Sequence, residues 1–585
     1  MKSKASFKNL LVALLTTIVV SATAQAAPKG AAGNNVDYIP FKPLTEALKG
    51  VKLKPVKDGP IKLPLITWPG DVATIDADSE GLFKKEGLNV ELFVENDFAK
   101  QVKGVLEGET PYLRCTAGMC NAAAEVFKQA NTNLYLIYQL TWSNGGDVLV
   151  VRPGINSLAD LKGKTIGIQL YGPHMDYLTT ALAKAGLEPK DVKIKWLKEL
   201  TIPTYDTNGK VVDPRTAFEQ DSSLDAVMVI SPDAAALTGG GNASGGESVK
   251  GAKALITSAM FNRVIADTYA VRADWFEKHT SDVQKLTHAL MLGQEHFDSL
   301  IANKADQKYT QLIAKSADLL FGSPSATTDV ESSLADCQWV GFSGNVAFFT
   351  GQGTTRNFET LSSEIQTSFV QLGLLKATAP LKKASWDYTQ LAVGLQHADS
   401  TQLAAKPAFD ENKVRAKVEH QIATELDSYN QVGALPPFEI YFKPKQDDFA
   451  IQDYMDDFKR VLDQAQTAGG IVFVIEGHNA PDAYNKRKAE GASAQELAEI
   501  QQVAKNLSKK RADNVKASFM NFCTQEGYSC DPSQFVTVGL GIVSPKWPED
   551  RPSKLPVSYT HLDVYKRQTQ KCTAYTSQAM AISSS

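Results

Sequence analysis

The chain has 585 residues, 43% of them hydrophobic and 22% charged, which excludes a disordered polypeptide and predicts roughly three or four folding units. Its formal charge of −4 is small for this length and no strongly basic face is evident, which argues against nucleic acid as a partner.

At the N-terminus, Lys2, Lys4 and Lys8 precede an apolar run from Leu10 to Val20 and then the small-residue triplet Ala24-Gln25-Ala26. This pattern predicts a secretory signal peptide over 1–26, a mature chain beginning at Ala27 and a periplasmic location. No cysteine follows the cleavage site, so no lipid attachment is expected, and no later segment has the uncharged run that a membrane helix needs. Residues 27–59, rich in Pro, Gly and Lys, read as a tether or a strap over the first domain.

From Ile61, β-type runs alternate with helical patterns. Leu63 to Thr67 and Val90 to Val94 are predicted strands, with helices near Asp76 to Glu86 and Ala99 to Glu107. A second series follows from Gly146: strands at Asp147 to Val151, Thr165 to Gln169, Val192 to Leu197 and Ala226 to Ile230, with a helix at His174 to Ala185. Such alternation predicts mainly parallel sheets covered by helices. After the Gly-rich stretch 239–246, read as a surface connection, come a strand at Ala254 to Thr257 and long helices including Ser281 to Asn303. A chain that leaves one lobe, builds another and returns makes a hinge, with lobe 1 at about 60–145 and 255–395 and lobe 2 at about 146–254. Residues 396–435 read as a linker helix. A compact βαβαβ-type unit then spans 436–556, with strands at Phe438 to Phe442, Ile471 to Gly477 and Gln534 to Gly539, a helix at Asp453 to Ala468 and a long helical stretch to about Phe522.

The cysteines stand at 115, 120, 337, 523, 530 and 572; the close pairs Cys115/Cys120 and Cys523/Cys530 are the expected bridges, although sequence alone does not fix the pairing. A C-x4-C without a second pair or nearby histidines is poor evidence for zinc, and neither a metal nor a cofactor is expected.

The strings Glu80-Gly-Leu-Phe-Lys-Lys-Glu-Gly-Leu-Asn-Val-Glu-Leu92, Val105-Leu-Glu-Gly108, Leu158-Ala-Asp-Leu-Lys-Gly-Lys-Thr-Ile-Gly167 and Leu224-Asp-Ala-Val227 carry a resemblance across roughly 60–395. In order and spacing they resemble the solute-binding proteins of ABC importers, of the nitrate/sulfonate/taurine type. The resemblance implies a two-lobed type II periplasmic-binding-protein fold, an importer permease as partner and a solute in the cleft at the carboxyl ends of the strands, trapped by hinge closure. The loops expected to face that cleft supply the candidate ligand contacts Trp68, Asp71, Cys115, Thr116, Trp142, Asn144, Tyr171, Gly172, His174, Ser231 and Asp233. Gly172-Pro173 immediately before a helix leaves backbone N–H groups free and the helix dipole favours an anion, so an anionic solute is expected; alternatively, Pro173 simply starts the helix. Trp68 and Trp142 suit stacking on a solute or packing in the core. Asp71 and Asp233 suit an amine or a helix cap.

Ile475-Glu-Gly-His478 after a strand and Leu507-Ser-Lys-Lys-Arg-Ala-Asp-Asn-Val515 on a helix resemble the OmpA-like peptidoglycan-binding domain across roughly 436–556. That resemblance implies an acid and an arginine on the diaminopimelate of the wall peptide, where carboxylate and guanidinium complement its amine and carboxylates. Arg511 occupies the arginine position; the aspartate position holds Ala480, leaving His478 and Asp482 as the neighbouring candidates. The alternative for Arg511 is a salt-bridged helix arginine. From Val557 the chain resembles translated adapter read-through, so 557–585 read as a non-native tail.

The expected function is periplasmic capture of a small anionic solute for an ABC importer, with the C-terminal domain on peptidoglycan. A wall-associated adaptor or sensor is the second reading. A pyrimidine-synthase-like enzyme ranks third, since the chain has no His-Glu-x-x-His or Gly-x-Ser-x-Gly string and its 8 histidines are scattered.

Overall fold

A computed structural model of the chain describes residues 35–201, 203–239, 248–398, 438–443, 445–469, 471–542 and 558–566. The expected signal peptide, residues 27–34 of the tether, most of the Gly-rich stretch, the linker from residue 399 and the tail from residue 567 lie outside the described residues.

Three sheets make up the first part. Strands β1 (Ile61–Leu65) and β2 (Val90–Val94) pair in parallel from Ile61↔Val90 to Leu65↔Val94. Beside them β3 (Tyr112–Thr116) and β4 (Leu134–Ser143) enter a sheet that the chain completes later. The chain then passes through Asn144, Gly145 and Gly146 into β5 (Asp147–Val151), which with β6 (Thr165–Gln169), β7 (Lys193–Leu197), β8 (Ala226–Ile230) and β9 (Lys253–Thr257) forms a second five-stranded sheet, in order β7-β6-β8-β5-β9. Residues 258–265 bring it back to β10 (Ala266–Arg272), β11 (Cys337–Trp339) and β12 (Leu381–Lys383). These close the other sheet, in order β11-β4-β10-β3 with β12 beside β4.

The expectation of mainly parallel sheets is corrected. β10 runs antiparallel to both β3 and β4, β11 antiparallel to β4, and β5 antiparallel to β8 and β9, while β6 is parallel to β7 and β8. The strands adjoining the two crossings, β5 and β10, insert against the direction of their neighbours, which a chain moving between sheets does without a crossover helix. β5 and most of β8 are buried along their length, which explains the apolar runs Val148 to Val151 and Ala226 to Ile230.

Helices cover these sheets: α1 (Val72–Ser79), α2 (Phe98–Leu106), α3 (Ala117–Gln129), α4 (His174–Lys184), α5 (Ser231–Thr238), α6 (Thr280–Ala302) and α7 (Phe358–Leu372). Side chains cap several of them. Asp97 accepts from the Lys100 N–H at 3.1 Å to start α2, and Thr116 from the Met119 N–H at 3.1 Å to start α3. The expected helix at 76–86 instead ends at Ser79 and restarts at Leu82, because Gly81 turns left-handed at φ 66°. The described part of the N-terminal segment lies as a strap: the Asp37 and Ile39 N–H groups donate to the carbonyls of Val211 and Trp196, and the Lys54 N–H to that of Leu106.

The C-terminal unit holds β13 (Phe438–Phe442), α8 (Met455–Thr467), β14 (Ile471–His478), α9 (Ala494–Gln525), β15 (Phe535–Gly541) and β16 (Ser558–Lys566), in sheet order β13-β16-β14-β15. β16 lies in the segment that resembles read-through; it runs antiparallel to β13 and β14, and its Tyr, Thr, Leu and Val content suits a strand. Gly477 and Gly539 are register partners, and α9 rests on the trough they leave. A Cβ on Gly477 would lie 1.9 Å from the Ser508 carbonyl oxygen, and one on Gly539 2.7 Å from that of Lys505. Phe458, Phe519, Phe522 and Phe535 fill the core between helices and sheet.

This unit touches both parts of the first one. Asp463 pairs with Lys184 at the end of α4, the Arg263 N–H donates to the Thr467 carbonyl at 3.2 Å, and Thr354 donates to Gln466 at 3.1 Å. Both expected disulfides, Cys115–Cys120 and Cys523–Cys530, are formed; Cys337 is a buried thiol.

Candidate ligand site between the two sheets

The carboxyl end of β1 feeds Trp68 and Asp71, and the carboxyl end of β3 feeds Cys115 and Thr116. Beneath them Arg114, on β3, is fully buried. Its Nε donates to Asp71 Oδ1 at 2.7 Å and its Nη1 to Asp267 Oδ1 at 3.0 Å. The Ile66 N–H donates to the other Asp71 oxygen at 2.9 Å and Thr141 to the other Asp267 oxygen at 2.8 Å. Burial pushes the Asp71 carboxyl up to about 6 although Arg114 pulls against it, and burial likewise raises Asp267. Two acids thus share one guanidinium.

The first crossing carries a second polar cluster. His174 Nε2 lies 2.6 Å from Asp147 Oδ1, and Ser143 donates to the other Asp147 oxygen. Ser258, from the return crossing, lies 2.8 Å from Ser143 Oγ and accepts from the Gly145 N–H at 2.8 Å and the Asp147 N–H at 3.1 Å. The two crossings are therefore tied to each other. A Cβ on Gly146 would stand 2.5 Å from the Trp68 ring, so this ring closes over the crossing only because residue 146 is glycine.

Between the clusters, Asp176 in the first turn of α4 meets Gly118 in the first turn of α3. A Cβ on Gly118 would lie 2.5 Å from the Asp176 Cγ and Oδ1. The carboxyl is fully buried with no ion pair among the described residues, and burial followed by the nearby Asp147 pushes it up to about 8 while the N–H groups of residues 176 and 177 pull it down. The helix start that the sequence offers to an anion is thus already faced by the chain's own acid.

The remaining sequence candidates fall in distinct places. Trp68 is half-buried, and its Nε1 has no partner among the described residues. Cys115 spends its sulfur on Cys120, and Thr116 caps α3. Trp142 lies within β4 rather than in a loop; Phe348 packs edge-on at 5.8 Å and the Arg263 guanidinium lies 5.6 Å over its ring, a core environment. The Asn144 N–H donates to the Asp336 carbonyl at 2.7 Å, and Ser231 donates to the Asp336 carboxylate at 2.8 Å. Tyr171, at φ 62°, donates to the Lys42 carbonyl of the strap at 2.5 Å, and Gly172 packs on Gln169, where a Cβ would sit 2.1 Å from Oε1. Asp233 accepts from Thr201, and burial raises its carboxyl. Neither Asp71 nor Asp233 caps a helix through its side chain. Asp71 and His174 are thus joined to the buried polar centre, while Thr116 caps α3 and Tyr171 turns toward the strap. Arg114, Asp147, Asp176 and Asp267 were not foreseen; an acid in a first helical turn, as at Asp176, is the one signal that points to any of them.

In the C-terminal unit, Arg511 is fully buried. It donates to Asn479 Oδ1, to the Gln446 carbonyl at 2.7 Å and to the Lys443 carbonyl at 3.3 Å, and burial lowers it to about 10. His478 is buried 3.4 Å from Glu476, and Asp482 is exposed at the start of the helix Asp482–Ala489. Elsewhere Asp76, Glu80 and His296 bring ligand atoms within 4.8 Å of one another. They are engaged: His296 bonds Asp76 at 2.5 Å, and Lys308 holds both Glu80 oxygens at 2.9 and 2.8 Å. Among the described residues no helix is long and apolar enough to cross a membrane.

No curated protein matches the chain. Among solved structures it is similar to the periplasmic aliphatic sulphonate binding protein SsuA from Escherichia coli, with 18% identity, a TM-score of 0.38 and 56% of this chain and 95% of that one covered. It is similar to the periplasmic nitrate-binding protein NrtA from Synechocystis PCC 6803, with 13% identity, a TM-score of 0.43 and coverage of 60% and 93%. It is also similar to the desulfurization enzyme DSZB, with 16% identity, a TM-score of 0.32 and coverage of 57% and 96%. Residues 69–209, which include Asp71, Arg114, Asp147 and Asp176, match the model of the family described as NMT1/THI5 like.

Proposed function

We propose that the protein captures a small solute with an acidic group between its two sheets, in the periplasm, and hands it to an ABC importer. The observation that carries this reading is the pair of crossings, at 144–146 and 258–265, joined through Ser143, Gly145 and Ser258 beside a buried polar centre. Two short segments linking two sheets are the arrangement in which hinge bending opens and closes a crevice. The buried donor Arg114 Nη2, which has no partner among the described residues, is available to an acidic group. The sequence strings and the family match over 69–209 support the same reading.

The C-terminal unit, in this proposal, rests on peptidoglycan through Asp482 and Arg511. Since Arg511 is closed over by the carbonyls of Lys443 and Gln446, a wall carboxylate reaches it when these two carbonyls move aside.

Protein stripped of solute in denaturant and refolded is expected to gain about 5 °C or more in Tm with the small-molecule fraction of its host periplasm. An unchanged Tm contradicts capture. Full-length protein is expected to pellet with purified sacculi, and Asp482→Asn to reduce the pelleted fraction; equal pelleting of both contradicts the role of Asp482.

A further inference from the structure

The last turn of α8 carries contacts from the C-terminal unit to three separate parts of the first domain. The Thr467 carbonyl, one of those that a helix leaves unpaired at its end, accepts from the N–H of Arg263 in the return crossing at 3.2 Å. Asp463, one turn earlier, pairs through Oδ2 with Lys184, the last residue of α4, in the half built on the second sheet. Its Oδ1 lies 3.9 Å from Nη1 of Arg356, just before α7, in the half built on β3, β4 and β10. Arg356 in turn donates from Nε to the Arg263 carbonyl at 3.1 Å, so both the N–H and the carbonyl of residue 263 are held. One carboxylate reaches both halves only while they stand together, because bending at the crossings separates Lys184 from Arg356. The junction is also closed at a cost. Arg356 Nη2 on one side and Thr467 Oγ1 on the other are buried and have no partner among the described residues. Arg356 keeps both Glu364 oxygens, at 2.8 and 2.7 Å, when Asp463 leaves. Contacts of this kind, polar and partly unsatisfied, suit an interface that forms and breaks.

We propose that the C-terminal unit docks on the closed form of the two halves alone, so that capture of a solute fixes the unit in place and loss of the solute frees it. This rests on the capture reading above and adds its regulation. Helix α4 carries the coupling. It begins at His174, bonded to Asp147 after the first crossing, and ends at Lys184 on Asp463, a span of about 15 Å at the helical rise per residue. Rotation of the second half about the crossings therefore draws Lys184 away from Asp463. The return crossing is the other route: Ser258 at its start is bonded to Ser143 and Gly145, and Arg263 further along it to Thr467. The segments that bend on capture are thus the segments that hold the C-terminal unit. By linkage, docking of the unit strengthens the hold on the solute as much as the solute strengthens docking.

The test is pulsed electron paramagnetic resonance on the refolded full chain, with spin labels at Lys210→Cys in the second half and Lys488→Cys in the C-terminal unit, both exposed positions. Solute-stripped protein is expected to give a broad distance distribution, and the small-molecule fraction of the host periplasm to collapse it to one short population. Asp463→Lys sets a cation against Lys184 and Arg356 and is expected to abolish that collapse, while a label pair at Lys210→Cys and Lys278→Cys still contracts. Adding Lys184→Asp to Asp463→Lys is expected to restore most of the short population, since it rebuilds the pair with its charges exchanged. Circular dichroism checks that both variants are folded. A collapse that persists in Asp463→Lys overturns the docking and leaves capture standing. So does a 210–488 distance that ignores the fraction while the 210–278 distance contracts. If neither label pair responds to the fraction, capture falls and the docking falls with it.

Discussion

Arg114→Met is expected to cost about 3–5 kcal/mol of stability, because it leaves two buried carboxyls without their shared guanidinium. Among the described residues Asp71 and Asp267 have no other cationic partner, and the Ile66 N–H and the Thr141 hydroxyl remain to them. Urea unfolding of the solute-free protein measures the loss. If the cause is uncompensated acid rather than lost packing, adding Asp71→Asn and Asp267→Asn to Arg114→Met restores most of it, since removing a whole buried ionic group is far cheaper than removing one member. A single-variant loss below about 1 kcal/mol, typical of an exposed pair, contradicts a buried triad.

The second large effect is in pH. Asp176 is raised to about 8, well above the ordinary carboxyl value near 3.8. Below pH 4 both folded and unfolded chains hold this proton, so its contribution is fully present. As pH rises toward 8 the unfolded chain releases it while the folded one retains it, and stability falls with pH. The slope approaches about 1.4 kcal/mol per pH unit, with a ceiling on the order of 5 kcal/mol over the window. Asp71, raised to about 6, adds a slope of the same sign between pH 4 and 6. Asp176→Asn is expected to remove the Asp176 share alone, so that the variant is more stable than the parent at pH 8 and comparable at pH 4. Urea midpoints at the two pH values decide it, and parallel profiles contradict the burial of an unpaired acid.

The strands with uninterrupted apolar runs, such as Val148 to Val151 and Ala226 to Ile230, were legible because both faces of these strands are covered. Strands β3, β4 and β10 were not, since Arg114, Gln139 and Asp267 break their apolar runs. Arg114 and Asp267 are tolerated inside the sheet because they pair with each other across the chain and Asp267 accepts from Thr141, which no local pattern reveals, while the Gln139 amide donates to the Thr141 carbonyl of its own strand. The same limit applies at the site. Asp71 and His174 stood at strand and helix ends where loop logic finds them, but the meeting of Asp176 with Gly118 joins residues far apart in the chain. Trp142 was expected in a loop and lies in β4, one residue from that strand's end. Arg511 shows a further gap between motif and environment: its string matches a wall-binding arginine, whereas its burial beneath the carbonyls of Lys443 and Gln446 depends on tertiary folding.

Whether the two sheets close on a guest is measured most directly by pulsed electron paramagnetic resonance between spin labels at Lys210→Cys and Lys278→Cys, exposed positions on the two halves. In solute-stripped protein the distance distribution is expected to be broad and long, and to contract to a single short population when the periplasmic small-molecule fraction is restored. One unchanged distance in both states contradicts a solute-controlled crevice.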